Sequence, residues 1–479
     1  MSDNLKKKAV HGVIWSGIEL FSVQGVSFLL TLVIARFVLP ADYGLIAMLA
    51  VFISLAQSLV DSGFTQALIQ KKRSEEVDFA TVFYFNIAVS LLLYLVLFAS
   101  APYIARFYKE PQLVAVTRWI GLTIILSGLA IVQRAKLTIN LDFKTQAKAS
   151  LVAVVAGGAA GVYLACSGYG VWALVAQALI RVCVESLLLW IFTRWVPLLR
   201  FSIESFHSLF SFGSKLLISG LLHSVYLNLY TLVIGRYYSA GNVGYYNRAY
   251  SLAQFPSTNI TRMIARAIFP IQCQMQDDDA KIASTFLQYL RMSCYIIFPL
   301  MIGLAVVSEP LIELLLTDKW LPAARPLSIL SLAYMWYPVM FINNQMLNVK
   351  GRSDYYLRAE IIKKIVGVVI LVVTLPYGIE VLCWGLVGYN LLDMLIIIYF
   401  SNKVITVGYR DQLRSLLPIF ALSVVMGVAS YLAIWSIPNC GLFTQVVCGV
   451  LAGVVSFTAL SYLFKFGEMQ YLRGLFKGK

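Results

Sequence analysis

The chain has 479 residues, of which 60% are hydrophobic and 13% charged; soluble globular chains carry about 25% charged residues, so the composition excludes that class and points to an integral membrane protein. The formal net charge of +15 does not call for nucleic acid, because the basic residues are spread over many short connections between apolar runs, as positive-inside topology requires. Seven scattered cysteines without CxxC spacing, and His11, His207 and His223 far apart in sequence, indicate neither a disulfide framework nor a metal site.

Lys6, Lys7 and Lys8 precede an apolar run that extends to about Val38 without a small-residue cleavage pattern, which reads as an uncleaved first helix with its N-terminus inside. Allowing about 20 residues per crossing, helices are predicted near 12–37, 43–66, 80–104, 113–133, 147–167, 171–193, 208–235, 243–270, 287–316, 325–348, 356–376, 381–402, 414–436 and 442–465. The fold class is therefore all-α, with about fourteen transmembrane helices. Alternate connections hold the basic residues, among them Lys71 to Arg73, Arg134 to Lys148, Arg194 and Arg200, Lys350 to Arg358, and Lys403 to Arg414. That alternation predicts an even number of crossings and two cytoplasmic termini.

Glu19 sits in the first helix, and Ser54, Gln57, Ser58, Asp61 and Thr65 form a polar stripe at helical spacing in the second. Such a stripe faces a cavity or another helix's polar groups, so Asp61 is either an ion-coupling acid or a structural hydrogen-bond acceptor. On the sixth helix, Arg181 and Glu185 are spaced i,i+4, which favours a local ion pair that neutralises itself. Gly157 and Gly161, and again Gly449 and Gly453, give GxxxG faces for close helix packing.

A duplication joins the two ends of the pattern. Thr31-Leu-Val-Ile-Ala-Arg36-Phe37 recurs as Thr231-Leu-Val-Ile-Gly-Arg236-Tyr237, and a glycine follows eight residues after each arginine, at Gly44 and Gly244. Two related halves of apolar helices are the usual ground plan of transporters, whose substrate site lies between the repeats. Arg36 and Arg236 are placed near the outer mouth, where they either assist product release or mark helix ends.

The second copy runs into an eighth helix, one face of which carries Arg248, Ser251, Phe255, Asn259, Arg262 and Arg266. At about 1.5 Å rise per residue, Arg248 to Arg266 spans roughly 27 Å, close to the hydrocarbon thickness, with Pro256 midway as an expected kink. Cations at that depth face a wet cavity or a partner rather than lipid; the competing reading anchors Arg262 and Arg266 to headgroups. Further on, Lys215 and His223 share a face of the seventh helix. Asn343, Asn344 and Asn348 give the tenth a polar end, and Asp393 lies in mid-helix near Lys363 and Lys364. Asp393 is either a protonatable coupling site or the partner of a neighbouring lysine. Trp15, Phe255 and Trp336 are either stacking platforms for sugar rings or core aromatics.

Catalytic chemistry finds little support. Asp277-Asp278-Asp279 contains an Asp-x-Asp, but it lies in a short connection with no Gly-rich phosphate loop or nucleotide-binding domain around it. A solvated loop whose acids cap the following helix is the favoured reading.

Leu32-Val-Ile-Ala-Arg36 through Tyr43-Gly44, then Asp61-Ser-Gly63-Phe64 with Ile69-Gln-Lys71, resembles the opening of bacterial polysaccharide exporters of the multidrug/oligosaccharidyl-lipid/polysaccharide (MOP) superfamily. Gly244-Tyr-Tyr-Asn247-Arg248-Ala-Tyr250, Phe255-Pro256, Ile268-Phe-Pro270, Lys319-Trp320, and Arg134-Ala-Lys136 followed by Leu141-Asp-Phe143 resemble the colanic-acid exporter type of O-antigen and exopolysaccharide flippase. The resemblance covers roughly residues 5 to 405. It implies two six-helix bundles, placed at 1–200 and 201–405, to which the helix count read from the sequence adds two further helices and a basic tail over 406–479. It further implies a cationic central cavity that moves an undecaprenyl-diphosphate-linked oligosaccharide between leaflets by alternating access. Asp61, Gly63, Asn247 and Arg248 match motif positions.

The expectation is therefore a lipid-linked oligosaccharide flippase of the bacterial inner membrane, not an enzyme. Arg248, Arg262, Arg266, Lys215, Asn247, Asn259, Arg36 and Arg236 are the substrate-binding candidates. Asp61, Asp393 and Glu19 are the ion-coupling candidates, for a proton or sodium ion, with no other cofactor. Expected partners are membrane lipid and the polysaccharide polymerase and chain-length machinery. A drug or organic-cation antiporter of the same superfamily predicts uncompensated acids in the cavity instead, and a membrane polysaccharide polymerase or glycosyltransferase predicts a large catalytic loop.

Overall fold

A computed structural model describes the backbone of residues 22–61, 63–71 and 74–470; the side chains described exclude that of residue 267 and several within 211–227. Helices follow one another with short turns. They are α1 (Ser22–Phe37), α2 (Pro40–Asp61), α3 (Phe64–Gln70), α4 (Glu76–Tyr108), α5 (Leu113–Ile120), α6 (Leu122–Ile139), α7 (Phe143–Cys166), α8 (Val171–Thr193) and α9 (Ile203–Tyr237). Next come α10 (Ala240–Gln274), α11 (Asp279–Val306), α12 (Ser308–Leu316), a 3-10 turn at Asp318–Ala323, α13 (Ala324–Tyr334), α14 (Tyr337–Val349) and α15 (Ser353–Thr374). The last helices are α16 (Ile379–Ser401), α17 (Tyr409–Trp435) and α18 (Leu442–Leu463).

Among the described residues, nine helical segments are long and apolar enough to cross a membrane, and the chain is a multi-pass, all-α membrane protein with no strand in that range. Helices satisfy their backbone groups internally, which makes this one of the two architectures that hydrocarbon tolerates. The other five spans expected from the sequence fall on α1, α9, α10, the α13 and α14 pair, and α15.

The chain packs as two compact units, Met1–Gly244 and Tyr245–Lys479. In the first, the GxxxG face of α7 lets α8 approach closely: a methyl added at Gly157 would lie 2.7 Å from the Gln177 carbonyl oxygen. Phe64, Leu68, Phe79, Phe83, Trp195 and Leu209 form a buried cluster that ties α3 and α4 to the start of α9. The duplicated segments also differ for a local reason. A methyl at Gly235, where the first copy has Ala35, would lie 2.7 Å from the Tyr108 ring.

In the second unit, α18 packs on α17 through its own GxxxG face; a methyl at Gly453 would lie 2.6 Å from the Ser430 hydroxyl. Buried Asn343 exchanges hydrogen bonds with Gln412 at 2.9 Å and accepts one from Ser401 at 2.5 Å, joining α14, α16 and α17. The Asp277 to Asp279 stretch has the structural role expected of it. Asp278 caps α11 by accepting from the Lys281 backbone N–H at 3.1 Å, and Asp279 pairs with Lys350 at 2.7 Å. That backbone bond, followed by the bond from the Lys281 side chain, holds the Asp278 carboxyl below the usual carboxylate range.

Candidate functional site: two polar cavities

Helix α10 runs as one helix through Pro256 and Pro270, and its C-terminal half presents Arg262 and Arg266 to a cavity of about 520 Å³ in the second unit. The opposite wall comes from α14 and α15: Phe341, Asn344, Gln345, Asn348 and Tyr356. On α14, Phe341, Asn344 and Asn348 recur at i, i+3 and i+7, which puts them on one helical face. Gln345 donates from its amide to the Gln272 side chain at 3.0 Å, while the buried Oδ1 of Asn344 has no hydrogen-bond partner among the described residues. The cavity thus offers two guanidinium groups, carboxamides and aromatic rings, and no acid lines it among the described residues. A dianion with hydroxyl-bearing neighbours is the chemistry that such a wall satisfies.

The remaining candidates on α10 stand elsewhere. Arg248 lies toward the start of the helix, about 21 Å along the axis from Arg262, and its guanidinium is 5.3 Å from the ring centroid of buried Trp320, a cation–π distance. Asn247, its neighbour in the chain, is half-buried. Asn259 donates to the Phe255 carbonyl of its own helix at 2.9 Å. Phe255 is exposed, and Trp336 packs against Phe298 and Phe420, as a core aromatic does.

The first unit holds a second cavity, of about 610 Å³, between α2, α3, α6 and α8. The polar stripe read from the sequence divides here. Ser58 meets Ser224 of α9 at 3.0 Å and Ser54 accepts from Asn228 at 3.2 Å, whereas Gln57, Asp61 and Thr65 line the cavity. Asp61 accepts from the Thr65 hydroxyl at 2.6 Å. The expected Arg181 to Glu185 pair does not form. Glu185 is taken by Arg134 of α6 at 2.7 Å and by Ser150 of α7 at 3.0 Å, and Arg181 has no ion pair among the described residues. An arginine preceding a glutamate at i,i+4 is the weaker orientation, and a better-placed donor from another helix wins.

Arg36 and Arg236 are both exposed at the ends of their repeats, Arg236 with its guanidinium 5.3 Å from the Phe107 ring centroid. Asp393 of α16 pairs with buried Lys363 of α15 at 3.3 Å, and Lys363 also pairs with Glu360. Glu19 and Trp15 lie outside the described residues, as do the side chains of Lys215 and His223. No group of three or more potential metal-ligating side chains occurs among the described residues.

Residues 33–325 match the family model described as "Polysaccharide biosynthesis protein". The chain belongs to this polysaccharide biosynthesis family. Among its relatives, it is 27% identical over 383 residues to the teichuronic acid biosynthesis protein TuaB of Bacillus subtilis strain 168, covering 78% of each chain. It is 27% identical over 442 residues to the lipopolysaccharide biosynthesis protein WzxC of Escherichia coli K12, covering 89% of this chain and 88% of that one. Its fold is shared with the lipid II flippase MurJ in an inward closed conformation, at a TM-score of 0.76 and 14% identity, over 94% of this chain and 98% of the other.

In this member of the family, sequence reasoning reaches Arg262, Arg266, Asn344 and Asn348 but not Phe269, Phe341 or Tyr356 beside them. Their spacing carries a signal, since Arg262, Arg266 and Phe269 recur at i, i+4 and i+7 on one face of α10. Arg134 is legible in the sequence as a basic loop residue and as part of the Arg134-Ala-Lys136 motif, but not as the partner of Glu185.

Proposed function

We propose that the chain is a flippase that moves an undecaprenyl-diphosphate-linked oligosaccharide across the bacterial cytoplasmic membrane, with both termini on the cytoplasmic side. Membership of the polysaccharide biosynthesis family and the fold shared with a lipid II flippase support that reading. The observation that carries it is the second-unit cavity, in which Arg262 and Arg266 stand together with no acid on the wall among the described residues. A diphosphate entering a low-dielectric site must be neutralised, and paired guanidinium groups do so with charge-assisted bonds. The same wall would repel an organic cation, which argues against drug antiport. Alternating access then carries the headgroup between leaflets, with Asp61, Asp393 or Glu19 as the acids available for coupling to a proton or sodium ion. Polysaccharide polymerase and chain-length proteins are the partners downstream.

The test replaces Arg262 and Arg266 by glutamine, singly and together, in the producing cell. Membrane protein level, surface polysaccharide and lipid-linked repeat units are then measured. Loss of surface glycan with accumulation of the intermediate in the cytoplasmic leaflet is expected; unchanged export from the double variant overturns the assignment of this cavity.

A further inference from the structure

A third cavity, of about 610 Å³, lies within the second unit between α10, α11 and the segment that follows α18. Tyr295 of α11 fixes that segment on both sides of Glu468. Its ring packs against Phe466, and its hydroxyl reaches the Met469 sulfur at 3.7 Å. Glu468 is thereby carried into the cavity wall, 8% exposed, where its carboxylate accepts from the Arg291 Nε.

The pair is only half satisfied. The second carboxylate oxygen of Glu468 is buried without a hydrogen-bond partner, and so is the hydroxyl of Tyr289, a residue 2% exposed on the same wall. A buried carboxylate oxygen left without a donor is costly, so an occupant that brings an N–H is favoured. Arg291 commits its Nε to Glu468, which leaves the terminal N–H groups of its fork for an acceptor, and Gln288 adds an amide beside it. A carboxylate in want of a donor next to a guanidinium in want of an acceptor is the complement of an ammonium next to a phosphate. The rest of the wall is apolar: Ile268 and Ile271 of α10 and Met292 of α11, with Ile271 46% exposed. That side suits an acyl chain, which gains by leaving water.

We propose that this cavity binds a phospholipid whose headgroup carries a primary ammonium beside its phosphate, with Glu468 taking the ammonium and Arg291 the phosphate. Helical periodicity turns Ile268 and Ile271 away from Arg262 and Arg266, so α10 is a wall of both second-unit cavities. A lipid seated behind α10 braces the helix that carries the two arginines. The binding itself does not rest on the flippase reading.

The full chain in detergent is titrated with phosphatidylethanolamine, phosphatidylcholine and phosphatidylglycerol, and binding is read by native mass spectrometry and by melting temperature. Phosphatidylethanolamine is expected to bind about ten-fold more tightly than phosphatidylcholine, whose quaternary ammonium has no N–H to donate. Phosphatidylglycerol, which has no ammonium, should fall with phosphatidylcholine. Glu468→Gln should bring the three lipids within about two-fold of one another, and retained binding of phosphatidylcholine shows that this variant is folded. Soluble phosphoethanolamine, the same head without chains, should displace the lipid only at concentrations about a hundred-fold higher, because it buries no acyl surface. Equal affinity of the unaltered protein for phosphatidylethanolamine and either comparator lipid overturns the site, as does a preference that survives Glu468→Gln. Displacement by phosphoethanolamine at the lipid's own concentration would assign the cavity to a soluble ligand and overturn the lipid.

Discussion

Gly44 and Gly244, which hold equivalent places in the two copies of the repeat, meet backbone to backbone. A methyl on Gly44 would lie 1.7 Å from the Ala240 carbonyl oxygen and 3.1 Å from the Gly244 nitrogen, and one on Gly244 would lie 2.0 Å from the Pro40 carbonyl oxygen. The obstructing atoms are backbone, so no side-chain rotation relieves the clash. Gly44→Ala and Gly244→Ala are each expected to destabilise the protein by about 1–3 kcal/mol or more. Thermal unfolding in detergent measures this, and a variant as stable as the parent would show that the contact is not tight in solution.

Lys363 is buried between Asp393 and Glu360, whereas the Arg134 to Glu185 pair is open to solvent on its arginine side. Removing one member of a buried pair leaves an uncompensated charge, at about 3–5 kcal/mol; an exposed pair contributes about 0–1 kcal/mol. Lys363→Met is therefore expected to lower the melting temperature far more than Arg134→Gln. Adding Asp393→Asn and Glu360→Gln to Lys363→Met should recover much of the loss. Equal effects of the two single substitutions would contradict the difference in burial.

The cap on α11 gives a pH dependence. Asp278 has its carboxyl lowered in the folded protein, chiefly by the Lys281 backbone N–H and then by the Lys281 side chain. Its contribution is thus fully present above the unfolded carboxylate value of about 3.9 and is lost as pH falls through the lower folded value. Hydrogen exchange at the first turn of α11, corrected for intrinsic rates, should show protection falling in that acid range. Asp278→Asn should remove the acid-dependent step, and an unchanged step in that variant would assign it to another group.

The stripe of Ser54, Gln57, Ser58, Asp61 and Thr65 was legible because helical periodicity is local, and so were the GxxxG faces, the Asp278 cap and the arginine face of α10. Which member of the stripe meets α9 and which lines a cavity was not, because Ser224 and Asn228 lie more than 160 positions away. The Arg181 and Glu185 spacing misled for the same reason: i,i+4 geometry says that two residues are able to meet, while Arg134 and Ser150 decide whether they do.

The sequence by itself determined that this is a multi-pass helical membrane protein with a duplicated helical segment, since composition and a repeated heptapeptide are properties of the chain alone. Only the tertiary structure decided that Arg262 and Arg266 share a cavity with Asn344 while Arg248 stands against Trp320. Helical periodicity puts all three arginines on one face, but depth along the helix and the helices packed against it set what each one touches.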